Sequence, residues 1–128
     1  MDKLKYIPGD LVTIETESTK PRLVKVSNVD EDSVIYCEGW GEVCFYDEIK
    51  PIPLTKDILL RNGWKNDGYD WYRLPTKRAY LYITKDITTL GEFLVCVGLD
   101  RHNLASINFV HQLQHILFAL NISHEIKV

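Results

Sequence analysis

Two histidines one helical turn apart form the sharpest chemical pattern in the sequence. His111 and His115 have the i, i+4 spacing at which two imidazoles on a helix can share a metal ion. Metalloprotease helices with this spacing also carry a general-base glutamate, which is absent here, and the sequence fixes no third ligand among His102 and His124. Phe118 falls beside the histidines, opposite the apolar side of the predicted helix. We therefore predict no metal. The group is a candidate partner-binding surface, and plain solvated helix surface is the alternative that we favour.

The sequence lacks the familiar signatures of nucleophilic and nucleotide chemistry. It contains no Gly-x-Ser-x-Gly elbow, no phosphate loop and no Gly-x-Gly-x-x-Gly turn. Cys37, Cys44 and Cys96 each stand in an apolar, strand-like run, which favours inert buried thiols. We predict a non-enzymatic protein without a cofactor, and a small metal-dependent hydrolase using His111 and His115 is the least favoured alternative.

A second candidate surface combines aromatic and basic residues. Tyr80 and Tyr82 alternate onto one face of a predicted strand, directly after the basic turn that contains Lys77 and Arg78. Single-stranded nucleic-acid binders use such faces. The alternative, which we favour, is a sheet face packed inside the protein.

The N-terminal half predicts a small barrel. Its opening Pro8-Gly9-Asp10-Leu11-Val12 is typical of SH3-like barrels, and short alternating strands separated by turn signals follow. Barrels of this type often bind partners through aromatic residues in their loops. Tyr6, Trp40 and Tyr46 are therefore partner-binding candidates, although Trp40 can also fold back over the barrel mouth.

The segment 50–64 divides the chain. Pro51 and Pro53 exclude a helix before residue 54, Thr55 is a suitable N-cap, and Gly63 suits a left-handed helix stop. We predict an SH3-like barrel over 1–53 and an α+β unit over 54–128, with helices at about 55–62 and 107–120. The second unit should run helix, three strands, helix and closing strand, with residues 99–105 as a loop.

Composition and charge indicate a folded protein of the reducing cytosol. Hydrophobic residues make up 45% of the 128 residues and charged residues 26%. The first six residues contain no apolar signal core, and no apolar run is long enough to cross a bilayer. Residues 1–54 hold six Lys and Arg against eleven Asp and Glu, whereas residues 55–128 hold nine against seven. An acidic first half disfavours nucleic acid as the partner.

Two segments resemble a known group of proteins. They are Pro-Ile-Pro-Leu-Thr-Lys-Asp-Ile-Leu-Leu-Arg-Asn-Gly-Trp (51–64) and Val-His-Gln-Leu-Gln-His-Ile-Leu-Phe-Ala-Leu (110–120). Both are similar to segments of small uncharacterised proteins encoded by phages and mobile elements of Bacteroidota bacteria. The resemblance implies an accessory protein of the bacterial cytoplasm and implies no activity. We therefore expect a protein that binds a protein partner without contacting a membrane, with a nucleic-acid-binding accessory protein as the first alternative.

Overall fold

The chain folds into two compact units, Met1–Ile52 and Pro53–Val128. The computed structural model describes residues 6–16, 19–29, 34–38, 44–45, 48–66, 68–74, 80–85 and 93–128. Each unit contains one five-stranded antiparallel sheet, and the two described helices belong to the second unit. The predicted α+β class is confirmed at this level.

The first unit is a meander with the strand order β4-β3-β2-β1-β5. Its strands are β1 (Leu11–Thr16), β2 (Thr19–Val29), β3 (Val34–Cys37), β4 (Cys44–Phe45) and β5 (Ile49–Pro51). Because side chains alternate across a strand, β1 and β2 each send every second residue into a common core. No pairing between β4 and β5 occurs among the described residues, so these strands do not display a closed barrel.

The core of the first unit is apolar and includes two of the three thiols. The Pro8-Gly9-Asp10 turn opens it as predicted, with Gly9 at a φ of 97°. Tyr6 is buried in this core, so the prediction that it is a loop-borne binding residue is wrong. The buried hydrophobic residues are Tyr6, Val12, Ile14, Val24, Val26, Ile35, Cys37, Cys44 and Ile49.

The second unit has five strands where three were predicted between its helices. They are β6 (Lys65–Asn66), β7 (Tyr72–Leu74), β8 (Leu81–Lys85), β9 (Phe93–Val97) and β10 (His102–Ile107), in sheet order β10-β9-β8-β7-β6. The expected loop over 99–105 is instead a tight turn and the first part of β10, because Gly98 takes a left-handed conformation that reverses the chain.

Helix α1 (Lys56–Arg61) has both ends encoded within a few residues. The Thr55 hydroxyl accepts a hydrogen bond from the Ile58 amide at 3.3 Å, as expected of an N-cap. Gly63, at a φ of 87°, and the Trp64 amide, which donates to the Leu59 carbonyl at 3.1 Å, form a Schellman stop.

Helix α2 (Val110–Ala119) is followed by an irregular tail, not by the closing strand predicted for 122–128. Asn121 lies at a φ of 58°, and the Ile122 amide donates to the Leu117 carbonyl at 2.8 Å. This turn reverses the chain, and the Gln114 side chain then donates to the His124 carbonyl at 3.1 Å. The tail therefore runs back along the helix, where it meets side chains of α2 and not a strand edge.

Candidate binding surfaces

The predicted partner site on α2 is only partly at the surface. His111 is 1% exposed, so the prediction that it lies with His115 and Phe118 on a solvent-facing side is wrong. Its ring stacks on Phe109 with centroids 5.9 Å apart, and the His115 ring meets it edge-on at 5.5 Å. Burial, and secondarily the neighbouring His115, lower the pKa of His111 to about 4.

The helical wheel misjudged this side of α2 because polar positions are buried there as well. An isolated helix has one buried arc, but here Val110, Leu113 and Leu117 are buried together with His111 and Gln114. The tail supplies a carbonyl that accepts from the Gln114 side chain, so a polar position is covered without losing its hydrogen bond.

Phe118 is the member of the predicted group that remains a prominent surface residue. It is 62% exposed, and His115 is half-buried. The ring of His124, on the tail, contacts the Phe118 ring edge-on with a centroid distance of 5.2 Å. This contact restricts the orientations of an exposed aromatic side chain.

The thiols lie in the cores of the two units, as predicted. Cys37, Cys44 and Cys96 are free and buried. Burial raises the pKa of both Cys37 and Cys96, which disfavours the reactive thiolate form. Within the described ranges, no cluster of three or more His, Cys, Asp or Glu residues is arranged to hold a metal ion.

The register of the second sheet assembles a surface that the sequence did not indicate. One continuous row of paired residues crosses all five strands, from Asn103 through Cys96, Tyr82 and Arg73 to Lys65. Paired residues of neighbouring strands point to the same face of a sheet. Arg73 and Lys65 therefore lie on the face of the predicted candidate Tyr82.

Arg101 covers the middle of this face. It occupies the turn before β10, with a φ of 55°, and its guanidinium carbon lies 4.5 Å from the ring centroids of both Trp71 and Tyr82. The two rings meet edge-on at 6.2 Å. Tyr82 is consequently only 7% exposed, so it is not an open stacking residue, and its burial agrees with the favoured interpretation of a packed sheet face.

Tyr80 remains open to solvent. It is 52% exposed, two residues before Tyr82, and its carbonyl accepts a hydrogen bond from the Gly98 amide at 2.8 Å. We call this surface the basic-aromatic face; its residues are Lys65, Arg73, Arg101, Trp71, Tyr80 and Tyr82.

Four predicted candidates lie outside the described residues: Trp40, Tyr46, Lys77 and Arg78. Sequence reasoning missed Lys65, Arg73, Trp71 and Arg101 as members of one surface. The i, i+2 spacing of Trp71, just before β7, and Arg73 within it was a usable signal. Strand pairing adds Lys65 to it, and the contact of the Arg101 guanidinium with the Trp71 ring adds Arg101.

Comparisons with protein-family models, curated proteins and solved structures find no match to this chain. No helix in the part of the chain that the structure describes is long and apolar enough to cross a membrane.

Proposed function

We propose that this protein is a non-enzymatic accessory protein of phage or mobile-element origin that binds a protein partner in the bacterial cytoplasm. The observation that carries the proposal is Phe118, a large aromatic side chain 62% exposed near the end of α2. Aromatic side chains dominate the energetics of protein interfaces. The edge-on contact with His124 orients the ring before binding and lowers the entropy lost on association.

The first sheet supports an SH3-like barrel as the architecture of the first unit. β5 pairs with β1, while the 11-residue β2 pairs with β1 along one part and with β3 along another. Its register to β3 shifts between Val26 and Asn28. Such a bulge bends a long strand so that it can serve both halves of a small barrel. Trp40 and Tyr46 are further partner-binding candidates of this unit.

Origin and compartment rest on two different observations. The resemblance carried by segments 51–64 and 110–120 supports a phage or mobile-element source. The three buried free thiols support a reducing compartment such as the bacterial cytoplasm.

The test is affinity capture from lysate of a Bacteroidota host, with and without nuclease, using wild-type protein and two variants. Phe118→Ser removes the exposed ring, and Leu99→Ser removes a comparably exposed apolar side chain from a turn of the same unit. We expect a protein species that wild type and Leu99→Ser retain and that Phe118→Ser loses. Equal retention by both variants, or capture that disappears with nuclease, would contradict the proposal.

The second candidate function is a nucleic-acid-binding accessory protein. The observation that favours it is the exposed Tyr80, two residues before Tyr82, whose paired neighbour across the sheet is Arg73 and whose next neighbour in that row is Lys65. The remaining alternative, a metal-dependent hydrolase built on His111 and His115, gains no support from a buried His111.

A further inference from the structure

Asn62 and Gly63 form the single Asn-Gly pair in the sequence, and they lie where α1 ends. An asparagine followed by glycine is especially prone to lose ammonia, because no side chain on the next residue hinders attack by its amide nitrogen. Asn62 is half-buried, Gly63 is exposed, and a Cβ at Gly63 would meet no atom within 4 Å. Both the reactive pair and access to it by water are therefore present at this position.

The side chain of Asn62 is held by three hydrogen bonds. Its amide nitrogen donates to the Ile58 carbonyl at 2.7 Å and to the Lys127 carbonyl at 2.8 Å. Its oxygen accepts from the Lys127 amide at 2.7 Å. Most of this grip comes from the tail, which is itself anchored by the buried side chain of Ile126. The tail therefore limits the rotation of the Asn62 side chain.

The backbone of Asn62 is also held away from the reactive geometry. Closure of a succinimide ring requires the Gly63 nitrogen to lie beside the Cβ of Asn62 when viewed along its Cα–C bond. At the observed ψ of 19°, that nitrogen points away from the side chain. The Gly63 amide donates to the Leu60 carbonyl at 3.3 Å, a long hydrogen bond at the end of the helix. Reaction therefore requires the end of α1 to open and the Asn62 side chain to leave the tail.

We propose that Asn62 is a site of spontaneous deamidation, that the docked tail suppresses the reaction, and that the reaction releases the tail once it occurs. The Gly63 nitrogen gives its proton to solvent and forms a bond to Cγ of Asn62. The bond from Cγ to the side-chain nitrogen breaks, and ammonia leaves with a proton taken from solvent. Water then adds to either carbonyl of the ring and reopens it as aspartate or isoaspartate, so one water is consumed for each ammonia released. The reaction requires no partner and is independent of the protein-binding function proposed above.

Both products remove contacts that hold the tail. An aspartate has no side-chain N–H to donate, so a carboxylate oxygen would face the carbonyl oxygens of Ile58 and Lys127. Its negative charge would lie at the C-terminal end of α1, where the helix dipole disfavours it. Isoaspartate inserts a methylene group into the main chain directly before Gly63, which disrupts the left-handed stop as well. Because water does not restore the amide, the change acts in one direction.

Ageing of the full-length protein at physiological temperature and mildly alkaline pH, followed by tryptic peptide mapping, tests the chemistry. Trypsin cuts after Arg61 and Lys65, so the peptide 62–65 contains Asn62 as its sole asparagine. Deamidation changes its mass by the difference between a hydroxyl and an amino group, and isoaspartate elutes apart from aspartate. We expect this change before any at Asn121, because the isoleucine that follows Asn121 hinders attack.

Two tail variants test the protection, at a temperature where circular dichroism shows each variant to be folded. Ile126→Ser removes the buried anchor of the tail, and Lys127→Pro removes the amide that donates to Asn62. Each should raise the rate of ammonia loss about fivefold or more, because the reaction proceeds from a locally opened state whose population rises. Glu125→Gln, at an exposed position of the same tail, is the control and should leave the rate unchanged. Lys127→Pro still tests the protection if Ile126→Ser does not fold.

Asn62→Asp tests the consequence of the reaction. A glutamate-specific protease should cut after Glu125 about fivefold faster in this variant than in wild type, because a released tail is open to cleavage. Asn103→Asp adds the same charge at an exposed position of β10 and should be cleaved like wild type. The deamidated fraction of aged wild-type protein should behave like Asn62→Asp.

Three outcomes would overturn the proposal. The first is no ammonia loss at position 62 in wild type and in the folded tail variants. The second is an equal rate of loss in wild type and in a folded tail variant, which would show that the tail does not protect Asn62. The third is cleavage of Asn62→Asp no faster than that of Asn103→Asp, which would show that the tail stays docked after the reaction.

Discussion

The two helices of the second unit both have locally encoded ends, but they differ in how their sides are covered. Every contact that starts and stops α1 lies between Thr55 and Trp64, and each partner is at most five residues away. α2 begins where the Gln112 side chain accepts from the Asn108 and Phe109 amides, at 2.8 and 3.0 Å. Its flank is then covered by a tail that folds back from Asn121. Local sequence therefore determines α1, whereas tertiary packing determines which sides of α2 are exposed.

This difference has an electrostatic consequence. α1 keeps its charged residues at the surface, with Asp57 in the first turn and Arg61 in the last, where each stabilises the helix dipole. α2 buries an ionisable side chain, His111, whose charged form is disfavoured. The stability of the α2 region should therefore depend on pH.

The largest predicted effect is on the pH dependence of unfolding. The pKa of His111 is about 4 in the folded protein and about 6.5 when unfolded, so the unfolded chain takes up the proton first as pH falls. The contribution of the buried, neutral His111 to the free energy of unfolding is complete above pH 6.5 and is lost progressively towards pH 4. Between about pH 7 and pH 5 this histidine should lower the free energy of unfolding by up to about 2 kcal/mol.

Urea unfolding of wild type and His111→Leu at the two pH values measures this contribution. Leucine fills the buried position with an apolar side chain that does not titrate. From about pH 7 to about pH 5, the free energy of unfolding of the variant should therefore fall by up to about 2 kcal/mol less than that of wild type. His102→Leu, at an exposed position of β10, is the control for replacing an imidazole with an apolar side chain. A pH dependence in His111→Leu equal to that of wild type would show that the histidine titrates normally.

The next effect concerns the local stop of α1. Gly63→Val should lower the free energy of unfolding by about 1–2 kcal/mol, because a β-branched residue is strained in the left-handed region. A Cβ at this position would meet no atom within 4 Å, so the loss measures backbone strain without a steric clash. Gly63→Asn should be milder, since asparagine tolerates this conformation. If the proteins with glycine, asparagine and valine at position 63 have equal melting temperatures, then the left-handed conformation of Gly63 is not what ends α1.

The N-termini of the helices compare the two kinds of cap directly. Thr55→Ala should lower the free energy of unfolding by about 1 kcal/mol. Gln112→Ala removes an acceptor used by two amides, so we expect a loss of about 1 kcal/mol as well. Chemical denaturation of the two variants checks both values, with Thr55→Ser as the conservative control. If Gln112→Ala leaves the free energy of unfolding unchanged, other groups accept hydrogen bonds from the Asn108 and Phe109 amides equally well.

The same contrast explains what could be read from the sequence. α1 was predictable because Thr55 and Gly63 act on their near neighbours. β10 was not, because the polar stretch 102–106 becomes a strand only by pairing with β9. The candidate surfaces followed the same division. The exposure of Phe118 agreed with the helical wheel, while His111 is covered by its surroundings and Tyr82 by Arg101, which reaches it from the turn beyond β9.

The smallest effect on global stability should come from the link between the tail and α1. Asn62 accepts from the Lys127 amide at 2.7 Å and donates to the Lys127 carbonyl at 2.8 Å, both at exposed positions. Asn62→Ala should therefore lower the free energy of unfolding by less than about 1 kcal/mol. Its local effect should be larger, because the Lys127 amide loses its acceptor and exchanges with solvent more quickly.

Amide exchange followed by NMR separates this local effect from global unfolding. The Trp64 amide, which donates to the Leu59 carbonyl, should keep its protection in Asn62→Ala, because that bond joins two backbone groups. The α1 contact that the substitution removes is the 2.7 Å hydrogen bond from the Asn62 side-chain amide to the Ile58 carbonyl. Faster exchange at Lys127 with unchanged exchange at Trp64 would show that the tail opens while α1 stays capped. Equal acceleration at both amides would instead mean that the tail supports α1 as well as α2, and the contrast between the two helices would fail.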